Sequence, residues 1–335
     1  MIALLLHRII VVGAITGGLF TSAFAAEPLP PESTTPWKVD NSPFTGKKEK
    51  KAFSGLACAH TGICVLAVDE GRHGAVVRIQ GKRLVFVGEP FKFTGVEQEL
   101  DAEAVAVDEV YFYVTGSHAA KRDSGCDNPD SRRVYRLTVD ESGDLRTIEP
   151  STRLWEAMRG LSKLAPYAVT GQCHCKMDRV DIEGMAAANG RLFFALRAPN
   201  VGGNSYVVGV DAKALFDGGD LKPSLYEISL GANKGFRDLM IADGEALALV
   251  GPSDNRSLTD YSIVELRGLT TGPSVHPKEL VTLDLKDAPL SKKGKPIKPE
   301  AITLLDINAE RYRLLVLSDG GKNGAPLVFD VTRKP

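Results

Sequence analysis

The chain has 335 residues, a formal net charge of -1 and 43% hydrophobic residues, values that are ordinary for a globular protein with a substantial core. It shows no basic excess, no Lys/Arg-rich helix and no stacking aromatic platform, which argues against a nucleic-acid-binding protein. The 33 glycines and 19 prolines are typical of a fold with many turns.

The first 26 residues have the pattern of a signal peptide. His7 and Arg8 precede an apolar run over residues 9–20, and Ala23-Phe24-Ala25 is an A-x-A-type cleavage site. The apolar run is short for a membrane span, which needs about 20 residues, although an uncleaved anchor helix is the alternative. We therefore expect a secreted, periplasmic protein with no membrane span after cleavage.

Residues 27–52 are rich in Pro, Ser, Thr and Lys and predict an extended N-terminal arm. Residues 37–40 are the one stretch of this arm that could form a strand. Residues 53–335 predict a single β-propeller domain, and we expect a monomer.

A repeated hairpin organises the domain. Its clearest copy spans residues 181–197, where an acidic residue, a short apolar strand, the turn Asn189-Gly190 and a second apolar strand follow one another. Related hairpins begin near residues 53, 101, 236 and 298. Repeats of this length, built from short strands with turn residues between them, predict an all-β, five-bladed propeller.

One insertion interrupts the repeats. Residues 152–164 have apolar residues at helical spacing, which predicts a short helix after blade two. A sixth blade would have to lie in residues 152–172, which lack strand character, and six blades are the alternative. Blade five has three strands before the chain stops, so we expect residues 37–40 to complete it and close the ring.

The five cysteines fit an oxidising compartment. Cys58 and Cys64 lie on the two arms of the first hairpin, close enough to form a disulfide across its turn. Cys126 could pair with Cys173 or with Cys175, which leaves one thiol. A metal site at Cys173-His174-Cys175 is the less favoured alternative, because ligands so close together rarely all reach one zinc ion.

Acidic residues recur where the first strand of each hairpin begins. In a propeller these positions surround one opening of the central channel, so we expect a ring of Glu103, Glu183, Asp238 and Glu300, with Ser54 at the fifth position. Converging carboxylates raise one another's pKa unless a cation neutralises them, and hard oxygen ligands suit Ca²⁺. The alternative is that each acid accepts hydrogen bonds that hold neighbouring blades in register.

Two further residues are candidates for catalysis near this ring. His118 follows the second strand of blade two, where a general base could lie. Arg197 ends the second strand of blade three and could orient an anion.

The hairpins also resemble those of a family of bacterial secreted proteins of unknown function that are predicted to be β-propellers. The resemblance covers residues 54–331 and includes the segments Leu196-Arg-Ala-Pro199, Arg237-Asp-Leu239, Gly251-Pro-Ser253 and Leu317-Ser-Asp-Gly320. More distantly, the hairpin is similar to that of esterase-like phytase propellers and five-bladed calcium-activated nucleotidases. In the nucleotidases, acidic side chains at strand starts hold a central calcium ion. This resemblance implies Glu103, Glu183 and Glu300 as ligands, with Asp238 a shorter substitute, while Ser54 departs from the pattern.

Two functions follow from these observations. The first is a calcium-binding propeller with a small ligand or an ester or phosphoester substrate at the channel mouth, where the metal would activate water for hydrolysis. The second is a non-catalytic propeller that binds a protein or glycan partner, with purely structural acids. Few basic side chains are available for the phosphates of a phytase substrate, and a shared fold alone implies no activity.

Overall fold

A computed structural model describes residues 27–44, 46, 48–121, 124, 126–170, 179–254, 260–291 and 294–333. Within these residues the strands form five sheets. The first strand of each repeat contacts the first strands of the preceding and following repeats, and the last repeat contacts the first. This closed ring confirms the five-bladed β-propeller.

The blades follow one another along the chain. The N-terminal arm contains β1 (Lys38–Asp40), and blade one contains β2 (Phe53–Cys58), β3 (Ile63–Val68), β4 (His73–Ile79) and β5 (Arg83–Lys92). Blade two contains β6 (Ala102–Val107), β7 (Phe112–Gly116), β8 (Val134–Val139) and β9 (Leu145–Ser151). Blade three contains β10 (Asp181–Ala188), β11 (Arg191–Ala198), β12 (Asn204–Asp211) and β13 (Ser224–Ser229). Blade four contains β14 (Lys234–Ala242), β15 (Glu245–Pro252), β16 (Ser262–Arg267) and β17 (His276–Thr282), and blade five contains β18 (Lys298–Ile307), β19 (Arg311–Asp319) and β20 (Leu327–Thr332).

Two short helices accompany the strands in the described residues. Helix α1 (Arg153–Gly160) is the predicted insertion after blade two, and it occupies the start of the segment that a sixth blade would need. Helix α2 (Ala212–Asp217) begins after Asp211, whose carboxylate accepts the Ala214 N–H at 2.7 Å as an N-cap. In the described part of the chain, no helix combines the length and hydropathy that a membrane span requires.

The hydrophobic core is divided among the five seams between neighbouring blades. Each strand alternates its side chains, so the two faces of a blade pack against different neighbours. Leu56 and Leu66 of blade one pack with Leu315 of blade five, for example, whereas Val65 packs with Val114 of blade two. Helix α1 adds its buried side chains to the seam between blades two and three. Every blade is therefore stabilised by both of its neighbours.

The inner strands approach one another closely at two glycines. A Cβ atom at Gly55 would lie 2.9 Å from the Ala104 Cα, and one at Gly184 would lie 2.7 Å from the backbone nitrogen of Leu239. Real Cβ contacts are longer, so only glycine permits this spacing without a shift of the next blade. Both glycines directly follow a residue that lies at the channel.

The N-terminal arm closes the ring in a different way from the one expected. Strand β1 does not complete blade five, because it pairs in parallel with β5 at the outer edge of blade one. Before β1, the arm crosses two other blades: Leu29 exchanges backbone hydrogen bonds with Thr282 and Asp284, and the Glu32 N–H donates to the Val328 carbonyl at 2.7 Å. The arm thus ties blades four, five and one together, although blade five keeps three strands.

Candidate functional site

Each inner strand has a β-bulge at the same level of the propeller. The bulge leaves one residue without a cross-strand partner, as seen for Glu183, which is skipped between the pairs Ile182–Leu196 and Gly184–Ala195. The bulged residues of blades one to five are Ser54, Glu103, Glu183, Arg237 and Glu300. All five are at least nine-tenths buried. They form the ring, with the order Ser, Glu, Glu, Arg, Glu around the channel.

The expected position of Asp238 in this ring is wrong. Asp238 pairs with Leu249, and the bulged residue of blade four is Arg237. The turns contain a signal that identifies Arg237: Glu183 and Arg237 lie at the same distance along the chain before their turns, Asn189-Gly190 and Asp243-Gly244, which all have positive φ. The acidic residue type favours the neighbouring Asp238, whereas the distance to the turn identifies Arg237.

Arg237 forms ion pairs with glutamates of both neighbouring blades. Its Nη2 lies 3.2 Å from Glu183 Oε2 and also contacts Glu300 Oε1. Burial disfavours the charge on Arg237, but the two glutamates outweigh it and raise the pKa of Arg237 above its ordinary value. Arg197 pairs with the other oxygen of Glu183, at 2.9 Å, and lies 3.7 Å from Asp181. Arg197 is thus placed in the same ion-pair network.

Several side chains at this level hold the blades in register. Both oxygens of Asp238 accept backbone N–H groups at 2.7 Å, from Leu239 and from Ile302 of blade five. Ser54 Oγ donates to the Ala102 carbonyl of blade two at 2.6 Å. Thr303 Oγ1 of blade five donates to the Leu56 carbonyl of blade one at 2.5 Å. For Asp238, this geometry matches the alternative in which the acid holds blades in register.

Glu103 differs from the other acids of the ring. No hydrogen bond or ion pair joins its carboxyl group to any residue that the structure describes, although only 4% of its surface is exposed. Burial raises its pKa well above the ordinary value, and the charges of Glu183, Asp101, Asp69 and Glu300 raise it further. Since these acids belong to all blades but the fourth, Glu103 faces the common channel.

Two more acids near the channel have pKa values above their ordinary range. Burial raises the pKa of Glu300 to about 8, although Arg237 opposes the shift. Burial and the charge of Glu183 raise the pKa of Asp181 to about 7. The arginines therefore do not fully compensate the negative charge of the channel mouth.

The predicted calcium ligands do not form a metal cluster in the described residues. No three His, Cys, Asp or Glu side chains there lie together in a way that could hold a metal ion. Glu183 and Glu300 are engaged by Arg237, and Asp238 points its oxygens at backbone N–H groups. Of the four predicted ligands, Glu103 is the one whose carboxyl group is not already engaged by described residues.

His118 lies in a buried cluster instead of the expected exposed rim. Its Nδ1 lies 3.0 Å from the Gly116 carbonyl, and its ring is 6.2 Å from the Trp155 ring of α1. Arg132 covers the same indole, with its Cζ 3.9 Å from the ring centroid. Burial, and then the charge of Arg132, lower the pKa of His118 to about 4, against the Gly116 hydrogen bond. His118 is therefore neutral at pH 7, and its nearest strong charge is Arg132 instead of an acid of the ring.

The first predicted disulfide is confirmed. Cys58 and Cys64 form a cross-strand pair between β2 and β3, with their Sγ atoms bonded at 2.06 Å. Cys126 is disulfide-bonded as well. Its two expected partners, Cys173 and Cys175, lie outside the described residues. The expected signal peptide, residues 1–26, also lies outside them.

A separate groove lies away from the channel, where the arm crosses blades five and one. It has a volume of about 370 Å³, and its walls include Pro36, Trp37, Lys82 and Val328. Two of the cations at its edge are already paired: Lys82 lies 2.9 Å from Glu32, and Arg83 lies 3.1 Å from Asp40. The groove is mainly apolar.

Comparison with solved structures finds other proteins with weak overall similarity. A GH43 β-1,3-galactosidase aligns with a TM-score of 0.48 at 9% identity, over 89% of this chain and 59% of its own. A catalytically inactive virginiamycin B lyase from Staphylococcus aureus, with quinupristin, aligns with a TM-score of 0.40 at 11% identity, over 87% and 69%. A PQQ-bound aldose sugar dehydrogenase from Streptomyces coelicolor aligns with a TM-score of 0.40 at 11% identity, over 90% and 99%.

Comparison with curated protein sequences finds no match. A family model matches residues 73–143 and 132–325, which together span more than half of the chain. The chain belongs to the protein family of unknown function DUF3616.

Proposed function

We propose that this propeller binds a cation at its channel mouth, at the side where Glu103 lies. The observation that carries the proposal is the Glu103 carboxyl group, which is buried, unpaired among described residues and surrounded by acids of other blades. A buried carboxylate needs a compensating partner, and a bound cation would supply it. Without a cation, burial and the neighbouring acids raise the pKa of Glu103 well above its ordinary value.

Calcium is the inorganic cation to test first. Carboxylate oxygens suit it chemically, and the negative charges of Asp69 and Asp101 act on Glu103 from nearby. The disulfides fit an oxidising compartment, which supports the proposal that the protein acts in the periplasm or outside the cell.

The experiment is a thermal melt in millimolar calcium and in chelator, on the protein and on Glu103→Gln. A calcium-dependent rise of at least about 2 °C that Glu103→Gln abolishes is the expected result. Glu109→Gln, which removes one exposed carboxylate from the turn of the same blade, is the matched control and should keep the rise. Equal melts with calcium and with chelator would remove calcium as the ligand.

An ester or phosphoester hydrolase is the catalytic form of this proposal. A bound metal would polarise the substrate oxygen and lower the pKa of a water molecule. His118 is too deeply buried against Trp155 to act as its base at the channel. A substrate screen is therefore informative only after calcium binding is measured, and the base would have to be one of the channel acids.

The second candidate is a non-catalytic propeller that binds a protein or glycan partner. It is favoured by the apolar groove beside Trp37 and by the register bonds of Asp238, which give that acid a structural task. A Trp37→Ala variant that loses binding to a glycan array, while Glu103→Gln retains it, would favour this function. Loss of binding only in Glu103→Gln would favour the channel.

A further inference from the structure

The ring contains two positions that are flanked by glutamates on both sides. Around the channel, blade four lies between blades three and five, and blade one lies between blades five and two. The bulged residues therefore follow the order Glu183, Arg237, Glu300, Ser54, Glu103. Arg237 at blade four and Ser54 at blade one have the same kind of surroundings.

At blade four the protein supplies its own cation. The Arg237 guanidinium lies between Glu183 and Glu300 and contacts a carboxylate oxygen of each. Guanidinium groups suit this place because they are planar, weakly hydrated and carry several N–H donors. A pair of glutamates in this ring therefore binds a guanidinium group.

At blade one the corresponding side chain is only a hydroxymethyl group. Ser54 directs its hydroxyl to the Ala102 carbonyl, so it offers nothing to the glutamates. Glu103 has no partner among the described residues, and Glu300 contacts Arg237 through Oε1. Burial nevertheless raises the pKa of Glu300 to about 8, so a single arginine leaves its charge incompletely compensated.

We propose that the blade-one position takes the guanidinium or ammonium group of a small organic ligand, held between Glu300 and Glu103 as Arg237 is held between Glu183 and Glu300. This inference rests on the proposed cation binding and names its ligand class. An organic cation suits the site better than a metal ion, because two separated carboxylates offer too few ligands for calcium, which needs six to eight oxygens. The burial of Glu103 and Glu300 also favours a weakly hydrated guanidinium.

The test is a set of thermal melts with added ligands. Methylguanidinium and agmatine are the free cations, and a Gly-Arg-Gly peptide carries the same group on an arginine side chain. Methylurea is the neutral isostere, and calcium is the inorganic cation. We expect the guanidinium compounds to raise the melting temperature by about 2 °C or more when saturating, and methylurea to leave it unchanged. A rise with the peptide but not with agmatine would identify a side chain as the source of the cation, and the reverse would identify a free small molecule.

Two variants and one control locate the effect. Glu103→Gln should remove the rise, and Glu109→Gln should keep it. Ser54→Arg should place a built-in guanidinium at blade one and also remove the rise. If that variant does not fold, the Glu103→Gln result decides the question alone.

The outcomes separate this inference from the proposed function. Binding of calcium without binding of any guanidinium or ammonium compound overturns the organic-cation inference and leaves the proposed cation site standing. No binding of any cation overturns both. A guanidinium-dependent rise that Glu103→Gln retains also overturns the inference, because the ligand then binds elsewhere.

Discussion

The blade-four side and the blade-one side of the channel mouth have the same backbone and different charges. Both have a bulge, a buried side chain at the channel and glutamates on the neighbouring blades. At blade four, Arg237 joins Glu183 and Glu300. At blade one, Ser54 bonds to a backbone carbonyl and Glu103 is left unpaired by the described residues.

This difference indicates that one part of the ring stabilises the fold and that another part is available for a ligand. A carboxylate that is buried and paired contributes to the stability of the folded structure. A carboxylate that is buried without a partner lowers that stability, and such residues are expected at functional sites. The Arg237 side is then a structural clamp between three blades, and the Glu103 side is the place to look for a ligand.

The largest effect should come from removing the clamp. Arg237→Met leaves Glu183 and Glu300 buried near each other without their common cation, and we expect a loss of about 3–5 kcal/mol in the free energy of unfolding, the usual effect of breaking a buried ion pair. Urea denaturation measures it. Arg311→Met removes partly exposed ion pairs with Asp330 and Asp306 and should cost less than about 1 kcal/mol. Equal losses for the two variants would show that Arg237 is not a clamp.

His118 should make its own contribution to the pH dependence of stability, apart from that of the ring acids. The pKa of His118 is lowered to about 4 from 6.5, so the unfolded chain binds its proton first as the pH falls. The contribution of His118 to stability is complete above pH 6.5 and is lost between pH 6.5 and about 4, by about 3 kcal/mol. His118→Asn, whose side chain tolerates the positive φ of 57° at this position, should remove that loss.

Denaturation of the protein and of His118→Asn at pH 7 and at pH 4 checks this. The stability difference between the two pH values should be smaller in the variant by roughly the stated amount. His60→Asn, made in an exposed turn, is the matched control. An unchanged difference in His118→Asn would mean that His118 is accessible to protons in the folded protein.

The repeat pattern predicted the fold because it depends on short-range features of the sequence. Strand alternation and turns such as Asn189-Gly190 and Asp243-Gly244 depend on neighbouring residues, and they gave five blades with correct strands. The pairing of β1 with β5 joins segments far apart in the chain, and nothing local distinguishes the edge of blade one from that of blade five.

The site was predicted only in part, for related reasons. Glu103, Glu183 and Glu300 are in the ring as expected, but a bulge shifts the count by one residue and puts Arg237 where Asp238 was expected. The burial of His118 depends on Trp155, which α1 brings from a separate insertion. A residue's type indicates its chemistry, but tertiary contacts decide whether its charge is free.

Alanine at Gly55 and Gly184 tests whether the inner strands are equally close at the seam between blades one and two and at the seam between blades three and four. A Cβ atom at Gly184 or at Gly55 would press on the backbone of the next blade, at 2.7 Å and 2.9 Å. We expect both Gly184→Ala and Gly55→Ala to lower the free energy of unfolding by about 1–3 kcal/mol, by denaturation in urea. Gly160→Ala, with open space around its Cβ, should be near neutral. A large cost at one seam alone would show that the spacing differs between the two sides.

The smallest effect should be a gain in stability from Glu103→Gln in the absence of ligand. The raised pKa of Glu103 means that the folded protein holds its proton more tightly than the unfolded chain does. Stability therefore falls as the pH rises above the ordinary value of 4.5, because ionisation favours unfolding. Glutamine resembles the protonated acid, so the variant should match the protein near pH 4.5 and exceed it at pH 8 by about 1 kcal/mol, near the lower end of the cost of a buried polar group without a partner. Melts of the two at both pH values, without added cations, measure the gain. A loss at pH 8 instead would mean that the Glu103 carboxylate is already compensated, and the distinction between the two sides of the ring would then fail.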